Sequence, residues 1–192
     1  MEVILNAIAG TTVEAGATLD WAGNVAAVNN LQGGGTVTDS GAAQTMNLQG
    51  ATNFSGTISG ALSLAFNGNA SLSGLEDYAG GATLNGPITV ANTGAYDIVA
   101  NTNIAGNPAS SFINNGLFEK TGGGGVSDVT SNFVNNGTLN VLSGSVQFSG
   151  GFANHGVIHG LVTQSGGVTT ISAPVPSDFS GDALSDILWR NT

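Results

Sequence analysis

The chain has 192 residues, of which only 7% are charged, and its formal charge is −10 because 12 acidic residues accompany two basic ones, Lys120 and Arg190. Binding of nucleic acid or of an anionic membrane surface needs clustered Lys and Arg, so this balance excludes both. The lack of cysteine and of any apolar run of about 20 residues excludes disulfides, thiolate chemistry and a membrane-spanning helix.

The composition leaves disorder as an alternative, because Gly, Ser, Asn and Thr dominate the chain and glycine alone occurs 31 times. Val, Ile, Leu and Phe nevertheless recur in short alternating runs, and the mean hydropathy is +0.20. A disordered linker lacks both features. We therefore expect a folded β-structure whose surface is made soluble by amides and hydroxyls, with calcium as a natural counter-ion for the acidic groups.

The amino-terminal residues 1–10 lack the basic start and the long apolar run of a signal peptide. We interpret them as a cap or a joining segment. An export signal, if the protein is exported, has been removed, lies outside this sequence, or belongs to another route.

Residues 11–81 contain short apolar alternations that are interrupted by glycine, as in the run from Thr36 to Gly41. Such runs predict strands of four to six residues bounded by turns. In residues 62–66 the alternation predicts that Leu62, Leu64 and Phe66 point inward while Ser63 and Ala65 point outward. The acidic tripeptide Glu76-Asp77-Tyr78 predicts a solvated loop that protrudes from this structure.

One phrase then recurs between residues 112 and 156. It reads Phe112-Ile113-Asn114-Asn115-Gly116, Phe133-Val134-Asn135-Asn136-Gly137 and Phe152-Ala153-Asn154-His155-Gly156, with a weaker copy at Val90-Ala91-Asn92-Thr93-Gly94. A repeat of about 20 residues that ends in a turn signal is typical of a solenoid coil.

This repeat predicts an all-β fold, a single-stranded parallel β-helix (β-solenoid) of roughly 20-residue coils over residues 11–173. Stacked coils place equivalent residues above one another, so Phe112, Phe133 and Phe152 are expected to stack inside. Asn114, Asn135 and Asn154 are expected to form an axial ladder, because an amide both donates and accepts. Gly116, Gly137 and Gly156 are expected at positive φ in the corner. A β-sandwich or jelly roll is the competing all-β interpretation.

These copies, with the Gly- and Ser-rich run from Gly144 to Gly151, resemble the degenerate coils of bacterial β-strand-repeat proteins, which include autotransporter passengers and haemagglutinin-like adhesins. The resemblance implies an exported protein that forms a stalk, an adhesin or a surface fibre outside a Gram-negative cell. The sequence contains no carboxy-terminal outer-membrane barrel of the autotransporter type.

After the stiff spacer Pro174-Val175-Pro176-Ser177, residues 178–192 are similar to the opening of an FG-GAP or VCBS-type repeat. The resemblance implies a calcium site formed by side-chain oxygens and one carbonyl, contributed by Asp178, Ser180, Asp182, Leu184 and Asp186. Ser180 replaces the usual Asn, and Ala183 replaces the usual Gly of the sharp turn. The tail holds one partial copy, so we expect a fragment of a longer protein; a vestigial cap and pairing with another subunit are alternatives.

Catalytic groupings are sparse in this sequence. Glu76 and Asp77 are adjacent carboxylates, but neighbouring strand residues face opposite ways, which disfavours a glycosidase pair. His155 and His159 would lie about 13 Å apart on a strand, too far to share a metal ion, so we expect two surface histidines. Lys120 and Arg190 are the only candidates for the base of a uronate-eliminating lyase, and the net charge would repel that substrate.

The sequence thus favours a non-enzymatic extracellular structural β-solenoid, acting as a surface stalk, an adhesin segment or a subunit of a head-to-tail fibre. Its expected partners are further copies of itself or a cell-surface or glycan receptor. The alternative is a glycan-binding module or a polysaccharide-acting β-helix enzyme, for which the available aromatic residues are Trp21, Tyr78, Tyr96 and Trp189. A third hypothesis is a calcium-dependent assembly switch in the carboxy-terminal tail.

Overall fold

The computed structural model describes residues 10–23 and 27–165, which wind into eight coils of three short strands each. Equivalent strands of successive coils hydrogen-bond to one another and build three eight-stranded sheets. Each strand is three to five residues long, and a turn separates it from the next, except that only Asn30 lies between the strands Ala27–Asn29 and Leu31–Gly33. No helix occurs in these residues, so none is long and apolar enough there to cross a membrane.

The first strand of every coil belongs to sheet A. Its members are β1 (Thr11–Val13), β4 (Leu31–Gly33), β7 (Thr52–Phe54), β10 (Ala70–Leu72), β13 (Thr89–Asn92), β16 (Ser111–Asn114), β19 (Asn132–Asn135) and β22 (Phe152–Asn154). The second strand belongs to sheet B, formed by β2 (Thr18–Asp20), β5 (Thr36–Thr38), β8 (Thr57–Gly60), β11 (Leu75–Tyr78), β14 (Ala95–Ile98), β17 (Leu117–Lys120), β20 (Thr138–Val141) and β23 (Val157–His159).

The third strand belongs to sheet C. This sheet contains β3 (Ala27–Asn29), β6 (Thr45–Gln49), β9 (Ser63–Phe66), β12 (Ala82–Leu84), β15 (Ile104–Gly106), β18 (Val126–Val129), β21 (Ser145–Phe148) and β24 (Val162–Gln164).

The strand register confirms the predicted β-solenoid. Phe112 pairs with Phe133, and Phe133 with Phe152, so the recurring phrase is one structural position in successive coils. Val90 of the weaker copy pairs with Phe112, which places it in the same column. The strand pairs of the described residues are parallel, which excludes the antiparallel sandwich.

The interior of the solenoid is built from columns of side chains that run along its axis. On sheet B the inward column passes through Val37, Ile58, Glu76, Tyr96, Phe118, Leu139 and Ile158. All seven are buried, and Glu76 is the one carboxylic acid among them. Because each coil buries its inward residues against the coils on either side, no coil has a core of its own.

One sequence expectation about residues 62–78 needs correction. Glu76, Asp77 and Tyr78 do not form a solvated loop, since they belong to strand β11. The outward direction predicted for Ala65 is correct, since Ala65 lies in the outer row of sheet C between Asn47 and Thr83, although its side chain is only 6% exposed. A small side chain in such a row is covered by its longer neighbours and loses most of its solvent exposure.

The predicted domain boundaries lie partly beyond these residues. The strands run from Thr11 to Gln164, inside the solenoid range of 11–173. Residues 1–9 of the amino-terminal segment, the spacer 174–177 and the tail 178–192 lie outside the described part of the chain.

Candidate functional site

A ladder of buried asparagines runs along the inner side of sheet A. The Nδ2 of Asn114 donates to the Oδ1 of Asn135 over 2.8 Å, and Asn135 donates in the same way to Asn154 over 2.7 Å. Asn92 begins the ladder by donating to Asn114 over 2.9 Å. The first three members also donate to a backbone carbonyl of the next coil, as Asn114 does to Thr138 over 2.9 Å, whereas Asn154 donates to Gly156 of its own coil over 3.1 Å. The ladder therefore satisfies polar groups that would be costly to bury alone.

The predicted phenylalanine stack lies beside this ladder and extends to further aromatic residues. Phe112 and Phe133 stack with ring centroids 5.4 Å apart and planes 7° apart, whereas Phe152 is tilted by 35° against Phe133 and is partly exposed. Phe118 meets Phe133 edge-on at 4.9 Å. This contact joins sheets A and B, and Phe118 also stacks on Tyr96 of its own sheet at 5.4 Å.

The expectation that Gly116, Gly137 and Gly156 have positive φ is wrong. The glycines with positive φ lie elsewhere, for example Gly86 at 95° and Gly144 at 65°. The three repeat glycines are needed because adjacent coils approach too closely for a side chain. A Cβ on Gly137 would lie 2.1 Å from the carbonyl oxygen of Gly116, and one on Gly116 would lie 2.2 Å from that of Gly94. Glycine is therefore required at this corner because the backbones of adjacent coils leave no room for a Cβ atom.

The residues predicted to bind calcium, Asp178 to Asp186, lie outside the described part of the chain. Within residues 10–23 and 27–165, no group of three or more Asp, Glu and His residues is placed to hold a metal ion. The calcium site stays a prediction from the resemblance.

The carboxyl of Glu76 is enclosed in the interior. Its side chain is 0% exposed, and neither carboxyl oxygen has a hydrogen-bond partner. Burial raises the pKa of this carboxyl from 4.5 to about 8. Asp77 points to the opposite side of the strand, as alternation requires, so the two carboxylates do not form a catalytic pair. The sequence does contain a signal for this burial, because Tyr96-Asp97-Ile98 repeats the pattern of Glu76-Asp77-Tyr78. Aligning the two tripeptides places Glu76 in register with the inward Tyr96, as the structure has it.

Two tyrosines accompany Glu76. The hydroxyls of Tyr78 and Tyr96 hydrogen-bond to each other, and their rings meet edge-on with centroids 5.8 Å apart. Both are 2% exposed. Burial raises the pKa of both phenols, and the nearby Glu76 raises each further. Trp21 is also 2% exposed, and Trp189 lies outside the described residues, so none of the described Trp and Tyr residues presents a ring to a sugar.

A row of carboxylates runs along the outer side of sheet B. Asp77 pairs in register with Asp97, and Asp97 with Glu119. Partial burial is the main cause that raises the pKa of Asp97, and the charge of Asp77 adds to it, while hydrogen bonds from Thr121 oppose the rise. Partial burial, with the charge of Asp97, likewise raises the pKa of Glu119. This row makes sheet B the acidic face.

Lys120 is buried inside a corner instead of lining a substrate cleft. Its Nζ donates to the carbonyl oxygens of Gly122, of Gly123 at 2.7 Å, and of Ala100 at 3.3 Å. Burial lowers the pKa of the ammonium group. The glycine run that follows Lys120 therefore wraps around its ammonium group, and the side chain holds this corner together. His155 and His159 are both exposed on the last coil.

One open groove lies on the outer side of sheet C. It has a volume of about 340 Å³, and its polar lining residues include Thr45, Ser63, Thr83, Thr102 and Asn103. The groove contains hydroxyls and an amide, with no charged or aromatic side chain among its lining residues. Its chemistry is that of a weak hydrogen-bonding surface.

No protein-family model, no curated protein and no solved structure matches this chain. Any function assigned to it must therefore rest on the geometry of its own coils.

Proposed function

We propose that this chain is a non-enzymatic, extracellular structural solenoid that serves as a surface stalk, an adhesin segment or a subunit of a head-to-tail fibre. The observation that carries the proposal is the continuity of three parallel sheets through eight coils. Coils of this kind are extended by adding the next coil at an end.

The last described coil supports axial extension. Within residues 10–23 and 27–165, strands β22, β23 and β24 each pair with one neighbouring strand. The N–H of Ser165 donates to Phe148 of the previous coil over 2.9 Å. Successive N–H groups of a strand point to opposite sides, so the N–H of Gln164 points away from that coil. Such a strand edge pairs with the next strand along the axis, whether later residues of this chain or another copy supply it, and a head-to-tail contact between copies that does not close on itself gives a filament.

The side-chain content of the described coils supports a structural role. The interior is occupied by stacked rings, the asparagine ladder and aliphatic residues. None of the buried ionisable side chains of the described residues lines the groove on sheet C; these side chains are Asp39, Glu76, Tyr78, Tyr96 and Lys120. This arrangement suits a rod that carries load or spans distance.

Electron microscopy and sedimentation of the purified chain over a range of concentrations test the proposal. We expect particles that lengthen along one axis as concentration rises. The variant Gln164→Pro removes the outward backbone N–H of residue 164. The control variant Gln164→Ala removes the glutamine side chain but keeps this N–H. Shorter assemblies for the proline variant alone would support joining through this edge; monomers at every concentration would contradict the fibre version.

A second candidate is binding of neutral glycans in the groove on sheet C, which its hydroxyl and amide lining favours. The described aromatic side chains do not line it, and sugar sites commonly use aromatic rings as apolar platforms. A glycan array distinguishes the two candidates: specific hits that are lost in Asn103→Ala would favour binding, and an array without hits would remove this candidate.

A further inference from the structure

Glu76 occupies a position that apolar residues hold in the other coils. Along the inward column of sheet B its register neighbours are Ile58 on β8 and Tyr96 on β14. Its side chain is fully buried, and both carboxyl oxygens lack a hydrogen-bond partner. An ionised carboxylate in such a site would carry a charge that no group compensates.

The groups that surround Glu76 are almost all neutral. The titratable side chains facing it are Tyr78 on its own strand and Tyr96 on β14. The strands of sheets A and C that surround Glu76 are β7, β9, β10, β12, β13 and β15. Their inward positions hold apolar residues, together with the uncharged polar residues Thr52 and Asn92. Asp77 and Asp97 lie on the outer side of sheet B, and Asp39 lies at the corner after β5, where its Oδ1 accepts from Gly23 and Gly41.

We infer that Glu76 is a proton-dependent lock on the coil formed by β10, β11 and β12: the enclosed carboxyl is neutral in the closed stack, and its ionisation loosens this coil around the Tyr78–Tyr96 pair. The carboxyl is fully enclosed, its two oxygens have no hydrogen-bond partner, and no cation faces it among the described residues. No side chain there offsets the negative charge that ionisation would create.

The sign of the pH effect comes from proton linkage. Burial raises the pKa of Glu76 from 4.5 to about 8, so between these pH values the folded chain binds a proton that the unfolded chain has released. The folded state is therefore favoured most below pH 4.5, loses stability as pH rises, and has lost the full contribution above pH 8. Within this window the unfolding equilibrium constant rises by up to about tenfold per pH unit.

The direct test is a carboxyl titration by NMR of the whole chain labelled with ¹³C at glutamate. The sequence contains four glutamates, Glu2, Glu14, Glu76 and Glu119, so the signals are few. We expect one carboxyl to titrate near pH 8 and to be missing in Glu76→Gln. The chain has only two tyrosines, Tyr78 and Tyr96, and their ring signals should change with the same midpoint.

Unfolding by urea at a series of pH values tests the consequence for stability. Glu76→Gln keeps the shape of the side chain without its proton equilibrium, and it should lose the pH dependence between about 6 and 8. Asp77→Asn, on the outer side of the same strand, is the matched control and should keep that dependence. If Glu76→Gln does not fold, the carboxyl and tyrosine titrations of the unaltered chain are sufficient to support or overturn the inference. Four glutamate carboxyls that all titrate below pH 6, or tyrosine signals that do not respond between pH 6 and 9, would overturn the inference.

Discussion

Asn114 and Asn135 lie 21 residues apart in sequence, yet in the interior the Nδ2 of one donates to the Oδ1 of the other over 2.8 Å. Both side chains are 0% exposed. Earlier in the same column lie Phe54 on β7 and Leu72 on β10, so the asparagines replace apolar residues from strand β13 onward. A row of amides makes the axial register specific, because an amide displaced by one residue would face the opposite side of the sheet without a partner.

Removal of one member of the ladder should destabilise the solenoid. Asn114→Ala leaves the Oδ1 of Asn135 without its donor and removes the acceptor of Asn92, so we expect a loss of about 1–3 kcal/mol. The control is Asn136→Ala, because Asn136 makes the same kind of bond to Asn115, over 2.9 Å, on the exposed side. That variant should change stability by at most about 0.5 kcal/mol. Equal urea midpoints for the two variants would show that the buried ladder contributes no more to the free energy of unfolding than an exposed amide hydrogen bond does.

The close approach of backbones at the corner predicts a severe effect of a single methyl group. In Gly137→Ala the new Cβ would meet the carbonyl oxygen of Gly116 at 2.1 Å, so neighbouring coils must separate locally. We expect a loss of about 3 kcal/mol, measured by urea unfolding. Gly124→Ala is the matched control, since its Cβ would meet no atom within 4 Å. It should be neutral or stabilising by up to about 1 kcal/mol, through the lower entropy of the unfolded chain.

The buried ammonium of Lys120 should matter for the corner formed by Gly122–Gly125. Lys120→Met keeps much of the apolar stem but removes the ammonium donor from the carbonyls of Gly122 and Gly123, at a cost of about 1–3 kcal/mol. The carbonyl of Gly123 then keeps only the hydroxyl of Ser143, at 3.2 Å. Amide hydrogen exchange at Gly122–Gly125 should accelerate more than exchange in the first coils. Glu119→Gln, on the outer side of the same strand, is the control and should leave that exchange unchanged. Uniform acceleration in all coils would argue against a local role.

A corner hydrogen bond sets the acidity of an exposed carboxylate. The hydroxyl of Ser40 donates to Asp20 over 2.6 Å, and with the backbone N–H of Ser40 it lowers the pKa of Asp20 below 3.8. The folded state therefore gains stability above the unfolded pKa and loses it as pH falls through the folded value. Ser40→Ala should raise the pKa of Asp20 toward its ordinary value, as read from its ¹³C carboxyl shift. The control Ser71→Ala, which lies far from Asp20, should leave the pKa of Asp20 unchanged. Equal values of this pKa in the two variants would contradict the role given to the Ser40 hydroxyl.

Much of the fold was accessible from local pattern. The spacing of Phe112, Phe133 and Phe152 predicted the parallel coils, and the adjacent asparagines predicted the ladder, because both depend only on which residues share a position in successive coils. Glu76 and Gly137 were misjudged for one reason. The environment of each is set by a residue of the neighbouring coil, Tyr96 for the carboxyl and Gly116 for the glycine.

By itself, the sequence determined the period, the strand-forming alternation and the identity of the stacking residues, since a repeat of about 20 residues is recorded in the order of amino acids. The tertiary structure decided which side chains the stack encloses. Only the closure of sheet B against sheets A and C converts Glu76 from an apparently solvated acid into a buried carboxyl and turns Lys120 into a corner clamp. The physical reason is that burial and backbone clearance depend on contacts between coils, which a single coil cannot make.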